Sequence, residues 1–129
     1  MSATHRLPAD VERLIADCID SVAALEVLLL LHRRAPARLD LDAVCRELGL
    51  DARWARTSLA DLVDHGLLAH DATAGTWAFA PNAPTAAVTV AALARAYAER
   101  RVTVVNRIYD TPSRFLRVFA DAFRLRKDR

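Results

Sequence analysis

Two short, closely spaced helices are predicted in residues 39–68, and this segment constrains the fold more than any other. Asp40 and Asp51 each precede a run of helix-forming residues, where an aspartate side chain caps the first turn. Gly49 stands between the two helices, where a residue in the left-handed conformation ends the first of them. A turn as short as Leu48-Gly49-Leu50-Asp51 holds the two helices at a steep angle. The apolar spacing predicts that the pair is buried through Val44, Leu48, Leu50, Ala55, Leu59 and Leu62.

A β-hairpin is predicted directly after the second helix. Gly66 ends that helix, and Leu67 and Leu68 begin an extended stretch. The residues from His70 to Gly75 are typical of a turn. Thr76-Trp77-Ala78-Phe79 then alternates polar or small residues with aromatic ones, as a strand does.

This order of elements resembles a winged helix-turn-helix, and over residues 21–80 the chain is similar to small bacterial regulators of the multiple-antibiotic-resistance-repressor (MarR-like) type. The resemblance implies a mainly α fold with a small β-hairpin wing. It also implies a DNA-binding transcription regulator that acts as a homodimer, with Asp51–Asp64 as the reading helix and Leu67–Phe79 as the wing. A helix in residues 1–20 and a helical region in residues 85–129 would extend this domain.

The reading helix carries the candidate DNA-binding residues. Its outward positions are predicted to be Ala52, Arg53, Trp54, Arg56 and Thr57. Arginine can bind guanine O6 and N7 with two hydrogen bonds, and Thr57 can reach a phosphate or a thymine methyl group. For Trp54 two interpretations stay open: a rim residue packed on the wing or on the first helix of the pair, or a contact with DNA or a partner protein.

The distribution of charge argues against simple DNA binding. Residues 1–90 carry eight arginines against twelve acidic residues, whereas residues 91–129 carry ten basic residues against four acidic ones. The predicted wing contains His70 and Asp71 and has no cation. Phosphate neutralisation supplies most nonspecific DNA affinity. The alternative function is therefore a winged-helix adaptor that binds another protein through residues 113–129 or through the Trp54 face.

The flanking helices are predicted to form the homodimer or to bind a partner. A first helix, opened by Leu7-Pro8, carries an apolar stripe. A long helix capped by Thr85 continues through Ile108, and a final helix follows Ser113. The final helix could instead bind a groove on another protein or an anionic membrane surface. The predicted interface residues are Leu93, Tyr97, Val104, Ile108, Phe115, Leu116, Phe119 and Phe123.

Other functional classes receive no support from the sequence. We find no phosphate-binding glycine loop, nucleophile elbow or Cys-His pair, so neither an enzyme nor a bound cofactor is expected. His65 and His70, with their neighbouring aspartates, fit no standard metal motif. Cys18 and Cys45 are predicted to be buried, inert thiols. The first residues lack an apolar signal region, and the charge-free stretch 72–94 contains turn residues, so we expect a cytoplasmic protein without a membrane segment.

Overall fold

The structure is a computed structural model, and it describes residues 7–110. In that range the chain is mainly helical with a small three-stranded antiparallel sheet, which confirms the prediction of a mainly α chain with a small β element. The helices are α1 (Ala9–Cys18), α2 (Val22–Arg34), α3 (Leu41–Leu48), α4 (Ala52–Asp64), α5 (Pro84–Glu99) and α6 (Arg101–Tyr109). The strands are β1 (Leu39–Asp40), β2 (Leu68–Asp71) and β3 (Thr76–Phe79).

Helix α2 forms the centre of the core. Seven of its 13 residues are buried, including every residue from Val27 to Leu31. Helices α3, α4 and α5 and strand β3 all pack against it. A helix that is apolar on nearly all sides needs neighbours on all sides, and this arrangement supplies them. Helix α1 packs against α5 and α6.

The predicted caps of α3 and α4 are confirmed, and Ser21 caps α2 in the same way. The side chains of Ser21, Asp40 and Asp51 each accept a backbone N–H from the first turn of α2, α3 and α4, at 2.7–3.0 Å. Gly49 ends α3 in the left-handed conformation, with φ of 65°. Each aspartate or serine cap contributes about 1 kcal/mol to helix stability. These local interactions fix the positions of α3 and α4 along the chain.

The sheet has the strand order β1-β3-β2. The β2–β3 hairpin was predicted, although His70 and Asp71, which were expected in the turn, belong to β2. Its register pairs His70 with Trp77 and Leu68 with Phe79. Strand β1 was not predicted, because two residues are too few to show an alternating pattern; it pairs Leu39 with Trp77. The Asp71 side chain accepts two backbone N–H groups in the turn between β2 and β3, which orders the hairpin tip.

The prediction of one long helix from Thr85 through Ile108 is wrong. Helix α5 begins at Pro84 with Ala83 as its N-cap, and the helical path is broken at Arg100, with φ of −137° and ψ of 59°. Next to the break, the Tyr97 hydroxyl donates to Glu26 Oε2 at 3.2 Å. The Arg101 guanidinium lies 3.6 Å from the same carboxylate and 4.9 Å from the centre of the Tyr97 ring. This contact joins residues distant in sequence, so local periodicity could not reveal it.

Replacing Gly66 by alanine is expected to destabilise the fold more than the same change at Gly49 or Gly75. All three glycines have positive φ, which costs a residue with a Cβ about 1–2 kcal/mol. At Gly66 a Cβ would also overlap the side chain of Asn82, whereas Gly49 and Gly75 face open space. Urea unfolding of the three variants measures the difference, for which we expect about 1 kcal/mol at most, because the exposed Asn82 side chain can change rotamer. Equal losses in all three would show that the Asn82 contact has no structural role.

Candidate functional site

The exposed side of α4 is the candidate functional surface. Ala55, Ser58, Leu59 and Leu62 are its buried positions, and they attach the helix to the core. The opposite side presents Arg53, Thr57, Ala60 and Asp64, which are all exposed. Their spacing of i, i+4, i+7 and i+11 places them in one row along the helix. These four residues, which we call the outward row, therefore lie on a helix whose first turn is capped by Asp51.

All five predicted DNA-binding residues, Ala52, Arg53, Trp54, Arg56 and Thr57, are exposed on α4. Trp54 is 62% exposed, so most of its indole surface is left uncovered by the wing and by the neighbouring helix. Residues two apart lie on nearly opposite sides of a helix, so Trp54 and Arg56 flank the outward row on different sides. The predicted set is thus one continuous surface with the arginines on one part and the indole on another.

A groove separates the Arg56 side of α4 from the hairpin. It has a volume of about 410 Å³ and is lined by Arg56, Ala60, Val63, Asp64, His70 and Trp77. The His70 and Trp77 rings stack with their centres 4.3 Å apart and their planes at 11°. Of these six residues only Arg56 was predicted as a site residue; Ala60, Val63, Asp64, His70 and Trp77 were missed. The alternation of β2 and β3 offered a signal, because residues paired across a hairpin share one face of the sheet.

Charge is separated along α4. Both arginines lie in its first five residues, and Asp61 and Asp64 lie in its last four. Arg56 and Asp64 are eight residues apart, roughly 12 Å along the helix axis. The amino-terminal half of α4 is therefore its basic end, apart from the carboxylate of Asp51 that caps it.

Most carboxylates of residues 21–80 have structural partners. This segment contains eight acidic residues and six arginines. Asp40, Asp51 and Asp71 accept backbone N–H groups. Glu47 pairs with Arg34 at 2.7 Å, and Glu26 contacts Tyr97 and Arg101. Five of the eight acidic side chains therefore cap or join elements of the fold. Their presence is explained by these structural contacts and requires no separate binding role.

The predicted interface residues in the described range lie within the fold of the chain itself. Leu93, Val104 and Ile108 are 0–2% exposed, because α5 and α6 pack against the rest of the core. In this fold their side chains do not face a partner. Tyr97 is partly buried and bonded to Glu26; burial first, and then the Glu26 carboxylate, raise the pKa of its hydroxyl group, while Arg101 acts in the opposite direction. Phe115, Leu116, Phe119 and Phe123 lie outside the described residues.

The two thiols are half-buried rather than fully buried as predicted. Burial, reinforced by the neighbouring Asp17 carboxylate, raises the pKa of Cys18, so its thiol stays protonated near neutral pH and is a poor nucleophile. Residues 7–110 contain no group of three His, Cys, Asp or Glu side chains placed to hold a metal ion. Within the same range, every helix lacks the length or the apolar character needed to cross a membrane.

Comparison with known proteins gives no relative for this chain: no family model, no curated protein and no solved structure matches it. Its function must therefore be inferred from its own residues and their arrangement.

Proposed function

We propose that this chain is a winged helix-turn-helix regulator that binds duplex DNA through α4. The element order α2-β1-α3-α4-β2-β3, with a β-hairpin directly after α4, supports this proposal. In such a fold α4 is the reading helix and the β2–β3 hairpin is the wing. The proposed function does not involve catalysis, a cofactor or a metal.

The observation that carries the proposal is the basic, exposed amino-terminal half of α4. Arg53, Arg56 and Thr57 are free of the core there. The amino-terminal residues of a reading helix are the ones that contact base edges in the major groove. Arg53 in the outward row and Arg56 beside the groove can each reach a guanine edge or a phosphate. The acidic end of α4 would then point away from the DNA.

A titration of the isotope-labelled chain with a duplex of about 20 base pairs tests the proposal. We expect the largest amide shifts in Ala52–Thr57 and smaller ones in the hairpin. Regulators of this kind bind as homodimers, so we also expect saturation at two chains per duplex. Shifts confined to α1, α5 or α6 would contradict the assignment of α4. Saturation at one chain per duplex would contradict the homodimer.

The second candidate function is a winged-helix adaptor that binds another protein. It is favoured by the exposed indole of Trp54 and by the excess of acidic residues in the segment 21–80. A protein partner would use Trp54 or residues 113–129, whereas DNA requires the arginines of α4. Duplex binding separates the two, because only the DNA-binding function predicts binding to a duplex that is lost when Arg53 and Arg56 are replaced by alanine.

A further inference from the structure

One side of α6 is apolar and is left uncovered by residues 7–110. Val102 and Tyr109 are 71% and 68% exposed, and Val105 between them is half-buried. Their i, i+3, i+7 spacing places them on one side of the helix, which we call the α6 face. Val104 and Ile108 occupy the other side and are buried in the core. Helix α6 is therefore apolar on two sides, and only one of them has a partner among the described residues.

We propose that the α6 face is covered by the segment of the same chain that follows it. This segment contains a second apolar series, Phe115, Leu116, Phe119 and Phe123, which we call the Phe stripe. The two series are separated by the five residues from Asp110 to Arg114, which include the turn-forming Thr111-Pro112-Ser113. A connection of this length is typical of two antiparallel helices that pack against each other. The proposal is independent of DNA binding.

The two apolar series match in length. On a helix, Val102 and Tyr109 are roughly 10 Å apart along the axis, and Phe115 and Phe123 would be roughly 12 Å apart. Two of the five residues between the members of the Phe stripe, Arg117 and Asp121, are charged, and the charged Arg114 directly precedes the stripe. An antiparallel arrangement would therefore bury both apolar series against each other and leave these charges in water.

The attachment to α6 favours the chain's own segment over other occupants. A short connection gives a tethered segment an effective concentration in the millimolar range. A second copy of the chain or another protein would have to compete with it at a much lower concentration. The α6 face is small, with three apolar residues, whereas stable interfaces between proteins usually bury about 800 Å² on each partner.

Thermal unfolding of full-length variants tests the proposal. Truncating a side chain that is exposed to solvent should change the melting temperature very little. Val88 on α5 is 68% exposed, so Val88→Ser is the matched control. We expect Val88→Ser to change the melting temperature by less than about 2 °C, whereas Tyr109→Ser lowers it by about 5 °C. Phe119→Ser should lower it at least as much. The double variant Tyr109→Ser/Phe119→Ser should be no worse than Phe119→Ser alone, because both changes remove the same contact.

Three results would overturn the proposal. One is a Tyr109→Ser variant as stable as Val88→Ser, which would mean that the α6 face is uncovered. Another is full additivity of the Tyr109 and Phe119 effects, which would place the Phe stripe elsewhere. The third is a Tyr109→Ser effect that disappears on hundred-fold dilution, which would assign the cover to a second copy. If Phe119→Ser does not fold, Tyr109→Ser and Val88→Ser can still be compared before and after the hundred-fold dilution. That comparison shows whether the α6 face is covered and whether a second copy covers it.

Discussion

Replacing Arg53 and Arg56 together by alanine is expected to reduce affinity for a cognate duplex by at least about 30-fold. Each arginine that contacts a base edge contributes about 1–3 kcal/mol, and each one that contacts a phosphate lowers the salt dependence when it is removed. Both side chains are exposed in the first half of α4, and neither forms one of the ion pairs that the structure shows within residues 7–110. Fluorescence anisotropy with a labelled duplex measures the loss.

The matched control removes two arginines elsewhere. Arg13 on α1 and Arg95 on α5 are also exposed, and the Arg13→Ala/Arg95→Ala variant has the same net charge as the α4 double variant. A loss in both variants alike would mean that only overall charge matters. If the α4 double variant bound as tightly as the parent chain, α4 could not be the reading helix.

Replacing Leu59 by alanine is expected to cost about 2–5 kcal/mol of unfolding free energy. Leu59 is fully buried on α4, which packs against the central helix α2. A buried leucine truncated to alanine loses its transfer free energy and leaves a cavity. For a chain of this size the melting temperature should fall by roughly 10 °C. Thermal and urea unfolding measure both quantities.

The control for Leu59→Ala is Val88→Ala, which changes a 68% exposed residue and should alter stability by less than about 0.5 kcal/mol. A small effect of Leu59→Ala, comparable to that control, would mean that α4 is not held against α2 as described. The position of the outward row Arg53, Thr57, Ala60 and Asp64 would then lose its support.

The local features of the fold were predictable because single residues determine them. Asp40 and Asp51 cap helices wherever a side-chain oxygen can reach the first turn, and Gly49 adopts a conformation that other residues avoid. The exposure of Arg53, Arg56 and Thr57 followed from the apolar spacing of Ala55, Leu59 and Leu62. The hairpin followed from the alternation in Thr76–Phe79.

The features that were missed depend on contacts between distant residues. The break at Arg100 accompanies the contact of Tyr97 and Arg101 with Glu26, and β1 exists only because β3 lies beside it. The groove between α4 and the hairpin likewise forms from two separate elements. An apolar stripe such as Leu93, Val104 and Ile108 shows that a surface is buried, but periodicity alone does not show whether the chain's own core or a partner buries it.

The α6 proposal bears on the choice between the two functions. A Phe stripe packed on Val102 and Tyr109 would be unavailable to another protein, and the adaptor would then be left with Trp54 as its main contact. The DNA-binding function does not depend on the Phe stripe. A destabilised Tyr109→Ser variant would therefore weaken the adaptor interpretation without testing DNA binding itself.

The central claim, that α4 binds duplex DNA, is tested most directly by the salt dependence of binding to a random-sequence duplex. We expect binding at about 50 mM salt that weakens steadily toward about 200 mM, because each phosphate contact releases counterions. In the Arg53→Ala/Arg56→Ala variant the slope of log affinity against log salt should be smaller by about one for each arginine that contacts a phosphate. No binding at about 50 mM salt with tens of micromolar chain, or binding that is insensitive to salt, would contradict the account.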